Sequence, residues 1–304
     1  MYTEIIPYAG WEKNLRIFND DVELIITLDV GPRILSYCRH GEENVLKQYP
    51  EQLGKSGEAE WRIRGGHRLW TAPEDASITY HIDNVPVAFS QSQAGEVLLT
   101  SYQKQPIQIR KEIALTLGKS SHVTLHHSIF NDSATDLTLA PWALTVMASG
   151  GLVIIPQPPL GEHPRDLLPN RKMVLWPYTD LSDSRWKFGA QYITLKQDAN
   201  SLPTKLGLAH RQKWIAYLLN YNLFIKSFSF EEGALYPDDG CNFETFSNSE
   251  MTEIESLGPL KKIRLGEAVH LREDWHLFKL EKPDPLRRSA LENWLPEFLQ
   301  KLEL

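Results

Sequence analysis

The stretch Trp61-Arg-Ile-Arg-Gly-Gly-His-Arg-Leu-Trp70, followed by Thr71-Ala-Pro-Glu74, gathers Arg64, His67, Arg68, Trp70 and Glu74 around two glycines that let the backbone turn sharply. A pyranose offers hydroxyls to charged groups and an apolar C–H face to an aromatic ring, so this mixture of side chains suits a sugar. The competing reading is a surface turn with salt bridges and core tryptophans. Alternation over residues 79–84 puts Thr79, His81 and Asp83 on one face, so His81 either converges on the same cleft or serves the strand alone. His126 and His127 are neighbours on opposite faces and cannot both line one site.

A second cluster lies late in the chain, from Lys226 through Asp238 and Asp239 to Asn242, Glu244 and Phe246, the last three sharing a strand face. Glu253 and Glu255 then share a face of the following strand, with Thr252 and Ile254 on the other. Paired carboxylates can titrate apart and supply a base, or stand as exposed strand glutamates. Asp238, Asp239, Glu244, Glu253 and Glu255 are also oxygen donors of the kind a hard cation takes, but EF-hand spacing is missing, as are HExxH and any paired HxH, and no metal is expected. GxSxG, GxGxxG and a Walker A loop are absent too, which weakens acyl transfer, dinucleotide binding and phosphoryl transfer together.

The elements that must carry these residues read as strands. Residues 22–30 alternate and end at Gly31-Pro32, and 107–117 place Ile107, Ile109, Ile113, Leu115 and Leu117 on one face. Residues 118–121 form a hairpin connection into 122–130, and further strand runs are expected at 137–147, 152–155, 186–195, 214–230, 242–246, 251–257 and 268–280. Residues 156–170 form a Pro-rich surface loop, either a crossover or a lid. Helical spacing appears only in the tail, where Asp284 caps, Pro285 opens, and Leu286, Ala290, Leu291, Trp294 and Leu295 form a stripe that Pro296 should break or kink. The stripe docks on the parent domain or makes a homodimer contact. These signals predict one all-β domain over 1–280, a large antiparallel sandwich, with a short helical tail over 281–304 docked on it.

Composition fits that reading: 304 residues with 42% apolar and 23% charged suffice for a core without staples. Thirty-two basic against 39 acidic residues give a net charge of -7, which disfavours nucleic acid and acidic membrane surfaces as partners. The amino terminus has no signal-like pattern and no stretch is apolar enough to span a membrane, so a cytoplasmic location is expected. Cys38 and Cys241, too few for a disulfide framework, are expected to be buried thiols.

The order of features resembles the galactose mutarotase, or aldose 1-epimerase, superfamily over residues 20 to 280. Gly31-Pro-Arg-Ile-Leu35 is similar to its opening turn, and Arg64-Gly-Gly-His-Arg-Leu-Trp70 to the glycine pair bordering the sugar cleft in its hexose-6-phosphate epimerase branch. Glu253-Ile-Glu-Ser-Leu-Gly-Pro259, Leu265-Gly-Glu267 and Trp275-His-Leu-Phe278 resemble its terminal strands. The resemblance implies a β-supersandwich with a sugar pocket, no cofactor, and interconversion of anomers by a glutamate base and a histidine acid. Glu253 matches the glutamate, with Glu255 one same-face step away. The acid departs from the pattern, because the strand over 139–147, where the family carries its histidine, holds none.

The expected function is therefore carbohydrate binding, with epimerisation at the anomeric carbon carried by Glu253 or Glu255 and by His67 or His81. Arg64, Arg68, Trp70, Glu74, Lys226, Asp239 and Glu244 would contact the small-molecule sugar. The rival expectation is a noncatalytic carbohydrate-binding or regulatory module that has lost the histidine.

Overall fold

The computed structural model describes residues 1–281 and 291–302. Two antiparallel sheets face each other. The first runs β1 (Tyr2–Tyr8), β2 (Trp11–Phe18), β3 (Val22–Thr27), β4 (Arg33–Arg39), β5 (Gly66–Ala72), β10 (Leu137–Met147), β19 (Thr252–Leu257), β18 (Phe243–Ser247), β15 (Thr204–Leu208) and β12 (Met173–Leu175), with β20 (Lys261–Ile263) also pairing with β10. The second runs β13 (Trp186–Phe188), β14 (Tyr192–Lys196), β11 (Leu152–Pro156), β16 (Trp214–Leu219), β17 (Asn222–Phe228), β21 (Ala268–Lys279), β9 (Val123–Asn131), β8 (Ile109–Leu117), β7 (Val97–Gln103) and β6 (Ala88–Gln91). This is the large antiparallel β-sandwich that the alternating sequence predicts.

Alternation decides which side chains meet between the sheets. On β8, Ile109, Ile113, Leu115 and Leu117 are buried while their neighbours are half-exposed, and they join Leu125, Ile254 and Leu277 in one continuous core. The central strands differ. β5 and β19 are buried along their whole length and β10 over Leu139–Met147, because loops cover the face turned away from the core. A sheet with one face in the core and the other roofed by loops is where a cleft can form.

Several expected elements take other shapes. Residues 186–195 divide into β13 and β14, and 214–230 form the hairpin β16–β17. Residues 79–84 are turn and loop, so His81 is not a strand residue. The described helix, Leu291–Leu299, continues through Pro296. Its Leu291, Trp294, Leu295 and Phe298 pack on Ile154, Trp214, Leu218 and Ile225 of the second sheet's outer face, and this packing holds the helix where the proline removes a backbone donor. Asp284, Pro285, Leu286 and Ala290 lie outside the described residues. Cys38 and Cys241 are free and buried. No described helix is long and apolar enough to cross a membrane.

Candidate functional site

The register of the first sheet assembles the site. Leu144 of β10 stands opposite Arg68 on one side and Glu255 on the other, and Glu255 stands opposite Glu244. One pair along, Glu253 faces Phe246, which faces Lys205. Trp142 lies opposite Trp70. These rows lie on the face turned from the core, and Trp61, Ile63, Glu74, Tyr80, Tyr178 and Met251 close the rim of a cleft of ≈ 220 Å³.

Two ion-pair systems occupy it. Arg68 Nη2 meets Glu253 Oε1 at 3.0 Å, and its guanidinium lies 4.2 Å from the Trp70 ring centre and 5.3 Å from Trp61. Its Nε and Nη1 are buried without a hydrogen-bond partner among the described residues. Two donors of a planar fork held this way are prepared for an oxygen-bearing ligand. Burial lifts the Glu253 carboxyl above its ordinary range, against the pull of Arg68 and with added repulsion from Glu255.

The second system is Lys205, whose Nζ lies 2.7 Å from Glu244 Oε2 and 3.1 Å from Glu255 Oε2. Directly opposed carboxylates repel, and the ammonium between them offsets this. Burial works against the Lys205 charge, yet the two carboxylates hold its proton more firmly than usual. Burial drives Glu244 well above its ordinary value, with Lys205 opposing. Trp142 Nε1 donates to Glu255 Oε2 at 2.9 Å, and Lys205 sits 4.8 Å from the Trp142 ring. Tyr80 donates its hydroxyl to Glu74 at 2.6 Å, and burial pushes the Tyr178 phenol up to about 12.

The cleft thus brings together Arg68, Trp70, Glu74 and Glu253, with Glu244 and Glu255 just beneath it. His67 points the other way, into the core. Its Nδ1 lies 2.9 Å from Thr145 Oγ1 and its Nε2 2.8 Å from His127 Nε2. Lys226 is in the same place, with Nζ 2.7 Å from Glu273 Oε1 and 3.1 Å from Thr145 Oγ1. Arg64 is fully buried among Glu58, Asn84 and Gln52, away from the cleft. Asp239 sits in the turn after Tyr236 and does not line the cleft; Lys172 donates to its backbone carbonyl. His81 lines a small neighbouring cavity of ≈ 30 Å³ with Asp83, Gln103 and Lys111, whose wall includes Arg68 and Trp70.

The glycine pair does not touch the cleft either. Gly65 and Gly66 have φ of 88° and 70°, and a Cβ on them would stand 2.0 Å from the Lys47 carbonyl oxygen and 2.2 Å from that of Ile34. They are glycine because two backbones cross there. Lys205, Trp142, Tyr178 and Phe246 were not anticipated as site residues. Phe246 and Trp142 lay in runs read as strands, and the signal available for them was their parity with Glu244 and with the expected cleft face.

His67, His127 and Glu273 are close enough to suggest a metal centre, with ligand atoms within 4.8 Å of one another. Their hydrogen bonds argue otherwise. His127 Nδ1 must donate to the Leu271 carbonyl, so its Nε2 accepts from His67 Nε2, and His67 Nδ1 then accepts from Thr145, whose oxygen accepts from Lys226. Glu273 accepts from Ser256 and Trp275 besides pairing with Lys226. Every partner is satisfied with both imidazoles neutral, and burial keeps them so by lowering both ring pKa values. The cluster reads as a closed polar network locking the sheets together.

No family model and no curated protein matches the sequence. Solved structures do. A galactose mutarotase-like protein from Lactobacillus casei superposes with a TM-score of 0.59 at 11% identity, covering 87% of this chain and 100% of that one. A galactose mutarotase-like protein from Clostridium acetobutylicum gives 0.57 at 10%, covering 92% and 99%. A galactose mutarotase related enzyme from Lactobacillus acidophilus gives 0.52 at 8%, covering 88% and 99%. With its two large antiparallel sheets and its cleft on the central strands, this chain has the galactose mutarotase-like fold.

Proposed function

We propose that the cleft binds a monosaccharide and interconverts its anomers. The observation that carries this reading is the buried Glu253 carboxyl, raised in pKa and paired with Arg68, at the foot of an aromatic wall made by Trp61, Trp70 and Trp142. A raised carboxyl is suited to passing a proton near neutral pH. Glu253 takes the anomeric hydroxyl proton. The ring oxygen receives a proton from solvent, because Glu244 and Glu255 hold the Lys205 proton too firmly for that residue to serve as the acid. The ring opens, the C1–C2 bond rotates, and the aldehyde recloses on its other face. His67 and His81 are less suited to the acid role, since one lies in the core and the other lines the adjoining cavity.

A second reading is a noncatalytic sugar-binding module in the same cleft, favoured by the lack of any imidazole among the described lining residues. Proton NMR exchange between anomeric signals over a panel of aldoses and hexose phosphates separates the two. Catalysis predicts faster exchange that Glu253→Gln lowers at least about 100-fold, the usual contribution of a positioned acid–base group. Ligand line broadening without faster exchange supports the binding module, and neither effect with any sugar overturns both.

A further inference from the structure

On the opposite sheet, a cavity of ≈ 530 Å³ opens between the 118–122 hairpin, the outer face of β17 and β21, and the end of the C-terminal helix. Its chemistry is basic in a chain of net charge -7. Lys119, His122, His276 and Lys301 line it, and Asp274 is the sole acidic residue among the described lining positions.

That aspartate is already committed. Arg272 donates to both of its oxygens at 2.8 and 3.0 Å, His122 lies 2.9 Å away and Thr124 2.8 Å. These bonds draw its pKa down against the effect of burial, so its charge is spent within the wall. Lys119 makes no ion pair among the described residues, and Lys301 reaches Glu297, at 3.4 Å on the exposed helix surface, and the Phe298 ring, at 4.8 Å. His276 is held between His122, stacked at 4.5 Å, and Phe278 at 5.9 Å, and neither of its ring nitrogens has a hydrogen-bond partner among the described residues. Burial pushes it down to about 4, so the ring is neutral and offers one N–H.

We infer that this cavity is a second binding site, for a small metabolite bearing a phosphate or carboxylate group. The two ammonium groups supply charge, the His276 N–H and the Ser120 hydroxyl supply directed donors, and Asp274 is screened by its own partners. Nothing in the anomer chemistry uses these residues, so the inference stands independently of it.

The test is side-chain NMR of histidine-labelled protein titrated with sodium phosphate, sodium acetate or sodium chloride at matched ionic strength. Binding predicts that the His122 and His276 signals move saturably with phosphate or acetate and not with chloride, and whichever of the two binds tighter identifies the headgroup. Lys119→Ala/Lys301→Ala, both at the surface, should weaken the apparent affinity about tenfold, the loss of roughly one charge-assisted contact. Equal shifts with chloride, or an unchanged affinity in the double variant, overturns the site.

Discussion

Lys111 shows what a single buried charge does in this fold. It lies on the core face of β8, beside the small cavity lined by His81 and Asp83, and burial lowers its pKa to about 8, with Asp83 pulling back and Arg33 pushing the same way. Between pH 8 and its ordinary value the unfolded chain holds a proton that the folded chain does not, so stability rises with pH across that window. Lys111→Met should therefore stabilise the protein at pH 7 by up to about 3 kcal/mol, and the gain should shrink as pH climbs from 8 to 10. Denaturant unfolding of both proteins at several pH values measures it, and a gain that grows with pH would refute the assignment. Lys111 also marks the limit of reading residues from sequence. Period two says which residues share a face, not which face meets the other sheet. Arg68 and Trp70, picked out by residue type as sugar contacts, do line the cleft, whereas His67, drawn from the same cluster, belongs to the other face and the core. Lys226 looked like a sugar contact because lysines rarely sit between sheets, and here Glu273 makes that position tolerable.

At the scale of elements, β5 is the strand on which the cleft depends, and its entry is set by backbone packing. A side chain at Gly66 would meet the Ile34 carbonyl of β4, an atom that cannot rotate away. Gly41 makes the contrast, with φ of 73° and nothing near its missing Cβ. Gly41→Ala should cost only the left-handed penalty, about 1–2 kcal/mol. Gly66→Ala should cost well beyond that and, if it folds, misplace Arg68 and Trp70 together. Thermal melts of the two variants give the comparison, and equal losses would show that the crossing is not tight. Most strands were readable because their buried faces alternate cleanly, as on β8 and β9. β1, β2, β4, β5, β6, β7, β12, β15 and β20 fall outside the expected runs; the five buried residues of β15, for one, include Lys205 and a glycine and show no apolar alternation. The 79–84 segment alternated without being a strand, because hydrogen bonds from Asp75, Thr79 and Asn84 fix it as a turn and loop over the cleft.

For the whole molecule, the two sheets carry separate outer faces: the first presents the cleft, and the second presents the basic cavity and the seat of the C-terminal helix. That helix lays Trp294, Leu295 and Phe298 on Ile154, Trp214 and Ile225, an apolar surface that would otherwise face water. An apolar face of this kind could equally be covered by a second copy of the chain, and the two arrangements respond differently to protein concentration. With the helix seated on its own sheet, Trp294→Ala should lower stability by about 3 kcal/mol through the cavity it leaves, and the melting temperature should stay the same when the protein is diluted. If the seat were shared between copies, melting would fall with dilution, and the substitution would shift the monomer–dimer balance seen by sedimentation. Melts at two concentrations a hundredfold apart, for the parent chain and the variant, decide between them. A concentration-independent melt with a clear loss in the variant places the helix within the fold of each chain.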